Sequence, residues 1–162
     1  MTCLFYSLTL LFIASTLSHA NHGVIIKNTT SNAEWARILT PEQYNILRND
    51  GTEPAHSSPL NDEHRKGTFV CAACGLELFR SETKYDSKTG WPSFWQPIEG
   101  HIETKWDFKL IFPRTEYHCA RCDSHQGHIF KDGPKPTGKR YCNNGLALKF
   151  TPDDISGAKA EH

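Results

Sequence analysis

The sequence has no excess of charge of either sign and no long uninterrupted apolar run. Its 162 residues carry 18 Lys and Arg against 18 Asp and Glu, so the broad positive field of a nucleic-acid-binding protein is missing. Methionine is nearly absent, since Met1 is the only one. Hydrophobic residues make up 38% and charged residues 22%, which excludes an extensively disordered chain. The length is that of one domain with its own core.

The first twenty residues carry no full charge and include the apolar stretch Leu4–Leu17. Serine and threonine interrupt this stretch, and it is shorter than the roughly 20 apolar residues of a membrane-spanning helix. Ser18 and Ala20 are small residues, as expected before a signal-peptidase cleavage site. We therefore predict a cleaved secretory signal over residues 1–20. The missing Lys or Arg before the apolar stretch leaves an uncleaved anchor or a core helix as alternatives.

The rest of the chain is predicted to form one domain. Residues 21–32 are a polar lead-in, residues 33–152 the folded domain and residues 153–162 a flexible tail. Ser31-x-x-Glu34 and Thr40-Pro41-Glu42-Gln43 are capping boxes. They predict two short helices, the second over residues 41–49, with Gly51 after its end.

From Thr68 onward, short apolar or alternating runs are separated by turn residues, and no long helical period occurs. This pattern is typical of an antiparallel β domain with helices at its start. Strands are predicted at six runs: Thr68–Cys71, His101–Trp106, Lys109–Phe112, Glu116–Ala120, Gly127–Phe130 and Leu146–Phe150.

Two C-x-x-C pairs stand 44 residues apart: Cys71-Ala72-Ala73-Cys74 and Cys119-Ala120-Arg121-Cys122. Four such thiolates make a closed tetrahedral zinc site, which stabilises a fold and leaves no open position for chemistry. Disulfides in an oxidising compartment are an alternative. A thioredoxin-like redox motif is another, although the βαβ context it needs is not visible.

Cys142 has no cysteine neighbour in the sequence. Loss of Cys3 with the signal leaves five cysteines, so one thiol remains unpaired. If this segment is extended, Arg140, Cys142 and Asn144 share a face. A guanidinium beside a thiol favours the nucleophilic thiolate. We favour a reactive thiol over an inert cysteine packed beside the apolar residues 146–148.

Other residues suited to chemistry near neutral pH lie in two short motifs. His125 and His128 flank a Gln-Gly pair, and Asp132 follows four residues later, where it could orient or charge an imidazole. The segment Gly90-Trp91-Pro92-Ser93-Phe94-Trp95 is densely aromatic. Such a segment forms core or lines a small apolar pocket.

Together these pieces resemble one family. The chain is similar to methionine-R-sulfoxide reductases of the MsrB type in Lys84-Tyr85-Asp86-Ser87-x-x-Gly90-Trp91-Pro92-Ser93-Phe94, in Cys119-x-x-Cys122, in His125-x-Gly127-His128-x-Phe130-x-Asp132-Gly133-Pro134 and in Gly138-x-Arg140-Tyr141-Cys142-x-Asn144. The resemblance runs over residues 34–152. It implies a mainly β fold of two small antiparallel sheets with short N-terminal helices and a structural four-cysteine zinc clip formed by Cys71, Cys74, Cys119 and Cys122.

The resemblance also implies an activity, the reduction of the R epimer of methionine sulfoxide in oxidised proteins, and of the free amino acid. Cys142 would attack the sulfoxide sulfur, and His125 and His128 would position or protonate its oxygen. Trp91 would receive the substrate methyl group, with Phe130 also binding substrate. Asn144, Arg140 and Asp132 would support the cysteine and the histidines. Attack on a sulfoxide needs a thiolate on one side and an acid on the other, and it leaves Cys142 as a sulfenic acid.

Two departures from the family pattern bear on the rest of the cycle. Many members carry a resolving cysteine immediately before the glycine of the Gly-Trp-Pro motif, where this chain has Thr89. We therefore predict that an external thiol, thioredoxin-like or small, reduces the sulfenic acid. Gln126 stands where leucine is common.

Two other functions compete with this one. A secreted zinc-clipped binding module would keep the fold without the chemistry, and a general thiol–disulfide oxidoreductase would use a C-x-x-C pair without zinc. The expected protein is a monomer with no nucleic-acid partner and no membrane association after cleavage. It would lie in the periplasm of a bacterium, and otherwise in the secretory pathway or outside the cell.

Overall fold

A computed structural model describes residues 24–108 and 113–153. The predicted signal over residues 1–20, the strand predicted at Lys109–Phe112 and the predicted tail beyond residue 153 lie outside the described residues. Within the described part of the chain, no helix is both long and apolar enough to cross a membrane.

Two helices open the domain, as the capping boxes predict. Helix α1 covers Asn32–Ile38 and helix α2 covers Pro41–Asn49. The side chains of Ser31 and Thr40 each accept a hydrogen bond from the backbone three residues on, and the reciprocal bonds are present. Helix α2 ends at Asn49, and its capping residue Asp50 adopts the left-handed conformation (φ 53°) immediately before Gly51.

The described residues form nine strands in two antiparallel sheets. They are β1 (Gly67–Cys71), β2 (Glu77–Arg80), β3 (Lys84–Tyr85), β4 (Ser93–Phe94), β5 (Ile102–Asp107), β6 (Arg114–Cys119), β7 (His125–Phe130), β8 (Arg140–Asn143) and β9 (Leu148–Pro152). One sheet has the order β2-β1-β9, and the other has the order β3-β4-β8-β7-β6-β5. The predicted mainly β fold with two antiparallel sheets is confirmed.

An aromatic core joins the two sheets. Phe79 of the smaller sheet stacks on Phe94 of the larger one at 4.2 Å between ring centroids. It also meets the edge of Tyr117 at 6.1 Å, and Tyr117 contacts Tyr141 at 5.7 Å. Since side chains alternate along a strand, burying Tyr141 of β8 in this core places Cys142 on the opposite face of the larger sheet.

Strand β7 carries an irregularity that the sequence does not reveal. In a regular strand His125 and His128, three residues apart, would face opposite ways. Here Tyr117 pairs with Gly127 while the next residue of β6, His118, pairs with His125, so Gln126 has no partner across the strand. This extra residue is a β-bulge, and it brings both histidines to the face that carries Cys142.

The predicted strands that lie within the described residues appear within two residues of their expected ends, as β1, β5, β6, β7 and β9. Strands β2, β3, β4 and β8 are not among the six predicted runs, and β3 and β4, with two residues each, carry too short a pattern to be predicted. The segment from Thr52 to Lys66 is rich in proline, serine and charged residues, as surface loops are, but it is only partly exposed. Its Glu53 is 4% exposed because the carboxylate binds buried backbone amides.

Candidate active site

Cys142 lies in the middle of the larger sheet, directly opposite His128 of β7. Both side chains line a cavity of about 120 Å³. The full lining consists of Thr52, Trp91, Arg114, Gly127, His128, Phe130, Cys142, Asn143 and Asn144. Strands β7 and β8 approach so closely here that a Cβ built on Gly127 would overlap the Cys142 carbonyl, which explains the glycine between the two histidines.

Burial and neighbouring groups shift the pKa of the Cys142 thiol in opposite directions. Burial raises its pKa above the ordinary value of 9.0. The Arg140 guanidinium and the Thr89 hydroxyl oppose this rise, because both stabilise the thiolate. Arg140 thus acts on the Cys142 thiol as the sequence predicts, and Thr89 acts in the same direction although the sequence did not suggest it.

Asp132 pairs with Arg140 and not with an imidazole. Its two carboxylate oxygens each accept a hydrogen bond from the Arg140 guanidinium at 2.9 Å, which lowers the Asp132 pKa. The suggestion that Asp132 orients a histidine is thus corrected. Strand β7 ends at Phe130, and the segment after it brings Asp132 to Arg140 at the start of β8. Arg140 also lies over the Phe130 ring, 4.1 Å from its centroid.

His128 is instead held by Asp107, at the end of β5. Its Nε2 lies 2.9 Å from the Asp107 Oδ2 oxygen, which also accepts from Arg114 at 2.6 Å. A carboxylate only accepts, so His128 donates through Nε2 and, when neutral, keeps a lone pair on Nδ1. Burial lowers the pKa of His128, with the Asp107 hydrogen bond acting against it.

His125 lies against a second carboxylate, but neither of the two atoms in contact has a hydrogen-bond partner among the described residues. Its Nδ1 is in direct contact with Glu116 Oε1, and both residues are almost fully buried. Burial lowers the pKa of His125 to about 4, although Glu116 works in the opposite direction. His125 does not line the cavity but lies behind His128, with 5.5 Å between the ring centroids. Both histidines are therefore neutral near pH 7.

One residue of the loop after α2, Glu53, ties three parts of the site together. Its carbonyl accepts from the Trp91 indole at 3.1 Å, and its backbone amide donates to Asn144 Oδ1 at 3.0 Å. Its carboxylate accepts from the backbone amides of Gly145 and Leu146 at 2.6 and 2.9 Å. The positions of Trp91 and Asn144 at the cavity therefore depend on the same short segment.

The four remaining described cysteines converge at the ends of β1 and β6. The Sγ atoms of Cys71 and Cys122 lie 3.7 Å apart, and those of Cys74 and Cys119 lie 3.5 Å apart. These separations exclude disulfides. They fit sulfur atoms about 2.3 Å from a tetrahedral zinc ion, which are about 3.8 Å apart. The donor set can thus hold a metal ion, with each close pair joining one C-x-x-C segment to the other.

A second cluster of possible donors includes Asp50, Glu116, His118 and His125. Glu116 Oε1 lies 3.0 Å from His118 Nε2 and in direct contact with His125. These separations are shorter than the roughly 3.4 Å between two ligands of a tetrahedral zinc ion. Glu116 Oε1, His118 Nε2 and His125 Nδ1 are also buried without a hydrogen-bond partner among the described residues.

The structure brings together most of the predicted site residues and adds five more. Cys142, His128, Trp91, Phe130 and Asn144 line the cavity, while Arg140, Asp132 and His125 support it from outside. The added residues are Glu53, Thr89, Asp107, Arg114 and Glu116. The Arg-x-Glu spacing of β6 could have been used to find Arg114 and Glu116, because alternate residues share a face. Glu53 and Asp107 are brought in by long-range contacts alone.

Comparison with known proteins agrees with this geometry. The SelR domain model matches residues 39–152. The peptide methionine sulfoxide reductase MsrB of Leptospira interrogans is 52% identical over 121 residues, covering 74% of this chain and 92% of the relative. MsrB of Methanosarcina barkeri is 50% identical over 125 residues, covering 76% and 88%. The chloroplastic peptide methionine sulfoxide reductase B1 of Arabidopsis thaliana is 52% identical over 121 residues, covering 74% and 60%. The chain belongs to the MsrB family of methionine-R-sulfoxide reductases.

Proposed function

We propose that the protein reduces the R epimer of methionine sulfoxide, in oxidised proteins and as the free amino acid, by attack of the Cys142 sulfur. The observation that carries this function is the shared cavity of Cys142 and His128, which lie opposite each other on β8 and β7. A nucleophile and a proton carrier thereby reach the same small substrate group.

The pKa directions indicate how the proton moves. At rest the buried thiol keeps its proton and His128 is neutral. When a sulfoxide enters, His128 takes the thiol proton and passes it to the sulfoxide oxygen as the Cys142 sulfur attacks the substrate sulfur. The balance is Cys–SH plus sulfoxide to Cys–SOH plus thioether: sulfur of the substrate is reduced, Cys142 is oxidised, and no proton is drawn from solvent.

The aromatic walls of the cavity suit the substrate. Trp91 and Phe130 provide apolar surface for the methyl group and the side-chain stem, while Arg114 and His128 provide polar groups for the oxygen. The two epimers differ in the positions of the methyl group and the oxygen around sulfur. Only one of them can place its methyl group on the aromatic wall and its oxygen at the polar groups while its sulfur faces Cys142. The Trp91 indole is fixed through Glu53, so this wall is held in place before substrate binds.

The Cys142 sulfenic acid is then reduced by an external thiol. Thr89 occupies the position beside Cys142 where many family members carry a resolving cysteine, and a hydroxyl cannot form a disulfide. The other four described cysteines form the cluster at β1 and β6. In this proposal that cluster holds zinc, which connects the two sheets and takes no part in the reaction.

Export from the cytosol is part of the same proposal. Its support is the uncharged apolar segment that ends in Ser18-His19-Ala20. The mature chain would contain no methionine, because Met1 would be removed with the segment.

A single-turnover experiment tests the proposed cycle. The zinc-loaded protein is mixed with one equivalent of methionine-R-sulfoxide without reductant, trapped with a sulfenic-acid reagent and analysed by mass spectrometry. We expect one adduct on Cys142 and release of one equivalent of methionine. An intramolecular disulfide to Cys142 would contradict the external-thiol step. Methionine release without any modification of Cys142 would contradict its role as nucleophile.

A further inference from the structure

Four side chains that can bind a metal ion meet where helix α2 packs on the larger sheet. Glu116 and His118 are alternate residues of β6 and therefore share a face, and His118 pairs with His125 of β7 beside the bulge. Asp50, which caps the end of helix α2, completes the group. One possible ligand atom from each residue lies within 4.8 Å of the others. The group shares no residue with the four-cysteine cluster.

Three of these side chains are buried with polar atoms that lack a partner. Glu116, His118 and His125 are 4%, 3% and 1% exposed. Glu116 Oε1, His118 Nε2 and both ring nitrogens of His125 have no hydrogen-bond partner among the described residues. Since an unpaired buried polar group is costly, three such groups in one place indicate a further binding partner, and a bound ion satisfies all of them.

The other ring nitrogen of His118 shows that Nε2 is available as a ligand. Nδ1 lies 3.1 Å from the backbone oxygen of Asp123, and a carbonyl oxygen only accepts, so Nδ1 carries the ring proton. In the neutral ring Nε2 therefore has a lone pair, 3.0 Å from Glu116 Oε1, which is also an acceptor. Metal-binding histidines commonly donate their second ring nitrogen to a backbone carbonyl, as His118 does.

A protonated His118 does not account for the same contact. Although Nε2 and Glu116 Oε1 are only 3.0 Å apart, neither atom has a hydrogen-bond partner among the described residues, so a proton on Nε2 would not point at the carboxylate oxygen. A metal ion lies to one side of the line between two of its ligands. The lone pairs of the ligands then converge on the ion and need not point at each other.

The spacing of the donors fits a six-coordinate ion. Ligands bound at about 2.1 Å in octahedral geometry are about 3.0 Å apart when adjacent and about 4.2 Å apart when opposite. The separation of Glu116 from His118 is that of adjacent ligands. Glu116 Oε1 is closer than this to His125 Nδ1, so the carboxylate or the imidazole has to turn as the ion enters. Two imidazoles and two carboxylates suit manganese(II) and similar ions better than ions that prefer thiolates.

We propose that Asp50, Glu116, His118 and His125 form a second metal site, which binds one manganese(II) or similar divalent ion in six-coordinate geometry. Asp50 is only half-buried and gives the ion its entrance. The bound ion fixes the His125 ring, which lies behind His128. The site does not depend on the proposed reaction, because no step of that reaction uses the ion.

The test is a titration with Mn²⁺ of the protein that already holds zinc in its four cysteines, followed by electron paramagnetic resonance. Hydrated Mn²⁺ gives a sharp signal that broadens on binding, and its low affinity for thiolates leaves the zinc in place. The site variants are Glu116→Gln, His118→Gln and Asp50→Asn, and the exposed Glu77→Gln and His64→Gln are the controls. Asparagine tolerates the left-handed conformation of residue 50, so this variant tests the site even if a change at a buried residue impairs folding.

We expect the wild-type protein to bind one Mn²⁺ per chain in a saturable manner. Each site variant should weaken this binding at least about tenfold, and the two controls should bind as the wild type does. Absence of saturable binding, or undiminished binding in Asp50→Asn, would overturn the site. Release of zinc in step with manganese uptake would also overturn it, because the added ion would then lie among the cysteines.

Discussion

His128 and Cys142 face each other across neighbouring antiparallel strands, with the imidazole held from behind by Asp107 at 2.9 Å. Burial acts on the two groups in opposite senses, raising the pKa of the thiol and lowering that of the imidazole. The resting pair is therefore uncharged, and in the proposed reaction its single mobile proton is transferred to the sulfoxide oxygen.

The pH dependence of kcat/KM should show a wide plateau. Below the pKa of His128 the imidazole is already protonated and cannot take the thiol proton, so the rate falls. Above the pKa of Cys142 the shared proton is lost, so the rate falls again. Since these pKa values lie below 6.5 and above 9.0 respectively, the limbs should fall outside that interval.

The pH profile of kcat/KM in Asp107→Asn tests whether the acid limb belongs to His128. The Asp107 hydrogen bond raises the pKa of His128, so its weakening should move the acid limb to lower pH while the alkaline limb stays. A maximum confined between pH 6.5 and 9.0 in the wild-type protein would contradict the shared-proton scheme.

Glu53→Gln should destabilise the fold and loosen the site together. The change replaces a buried carboxylate that accepts two backbone amides with an amide that can accept only through one oxygen. Charge-assisted hydrogen bonds contribute about 1.5–3 kcal/mol each, so we expect the free energy of unfolding to fall by about 2–3 kcal/mol and KM to rise. Chemical denaturation and steady-state kinetics measure this, with the exposed Glu77→Gln of β2 as the control. If Glu53→Gln were as stable as the control variant, the stabilising role of Glu53 would be contradicted.

Gln126→Leu, which introduces the residue common in the family, should not destabilise the protein. The Gln126 amide nitrogen donates to Cys71 Sγ at 3.5 Å and to the Ser124 carbonyl at 3.4 Å, but its buried Oε1 has no hydrogen-bond partner among the described residues. Leucine loses these two long bonds and removes the unsatisfied oxygen, so the free energy of unfolding should stay the same or rise by about 1–2 kcal/mol. Gln126→Glu, which brings a charge to the cysteine cluster, is the opposite comparison and should be destabilising. A loss greater than about 2 kcal/mol in Gln126→Leu would contradict this account of the bond to Cys71.

Removal of the proposed zinc should break the connection that the four cysteines make between the two sheets and so destabilise the fold. Chelation of the proposed zinc leaves four cysteine side chains crowded at one point, and structural zinc sites contribute their binding energy directly to folding. We expect a loss of roughly 5 kcal/mol or more, measured by thermal and chemical denaturation, with recovery when zinc is returned. Cys142→Ser should keep one zinc per chain. Unchanged melting after complete metal removal would contradict a structural role.

Local patterns predicted the parts of the fold that depend on local chemistry. Both capping boxes, the extent of helix α2 and the strand runs fall into this class, as does the meeting of the two C-x-x-C pairs, for which thiolate chemistry gives a strong pattern. The bulge at Gln126 and the carboxylates beside the histidines depend on the register between neighbouring strands, which the sequence pattern does not specify. The pairing of Asp132 with His128 was predicted from their spacing alone. The turn before β8 instead places Asp132 beside Arg140, which donates hydrogen bonds to it.

The central claim is that Cys142 reduces the R epimer and not the S epimer. The most direct measurement is the rate of methionine formation from each separated epimer, with dithiothreitol as the reductant, by wild-type protein and by Cys142→Ser. The account predicts turnover of the R epimer by the wild-type protein alone, with no reaction of the S epimer. Turnover of the S epimer, or R activity that survives in Cys142→Ser, would contradict it.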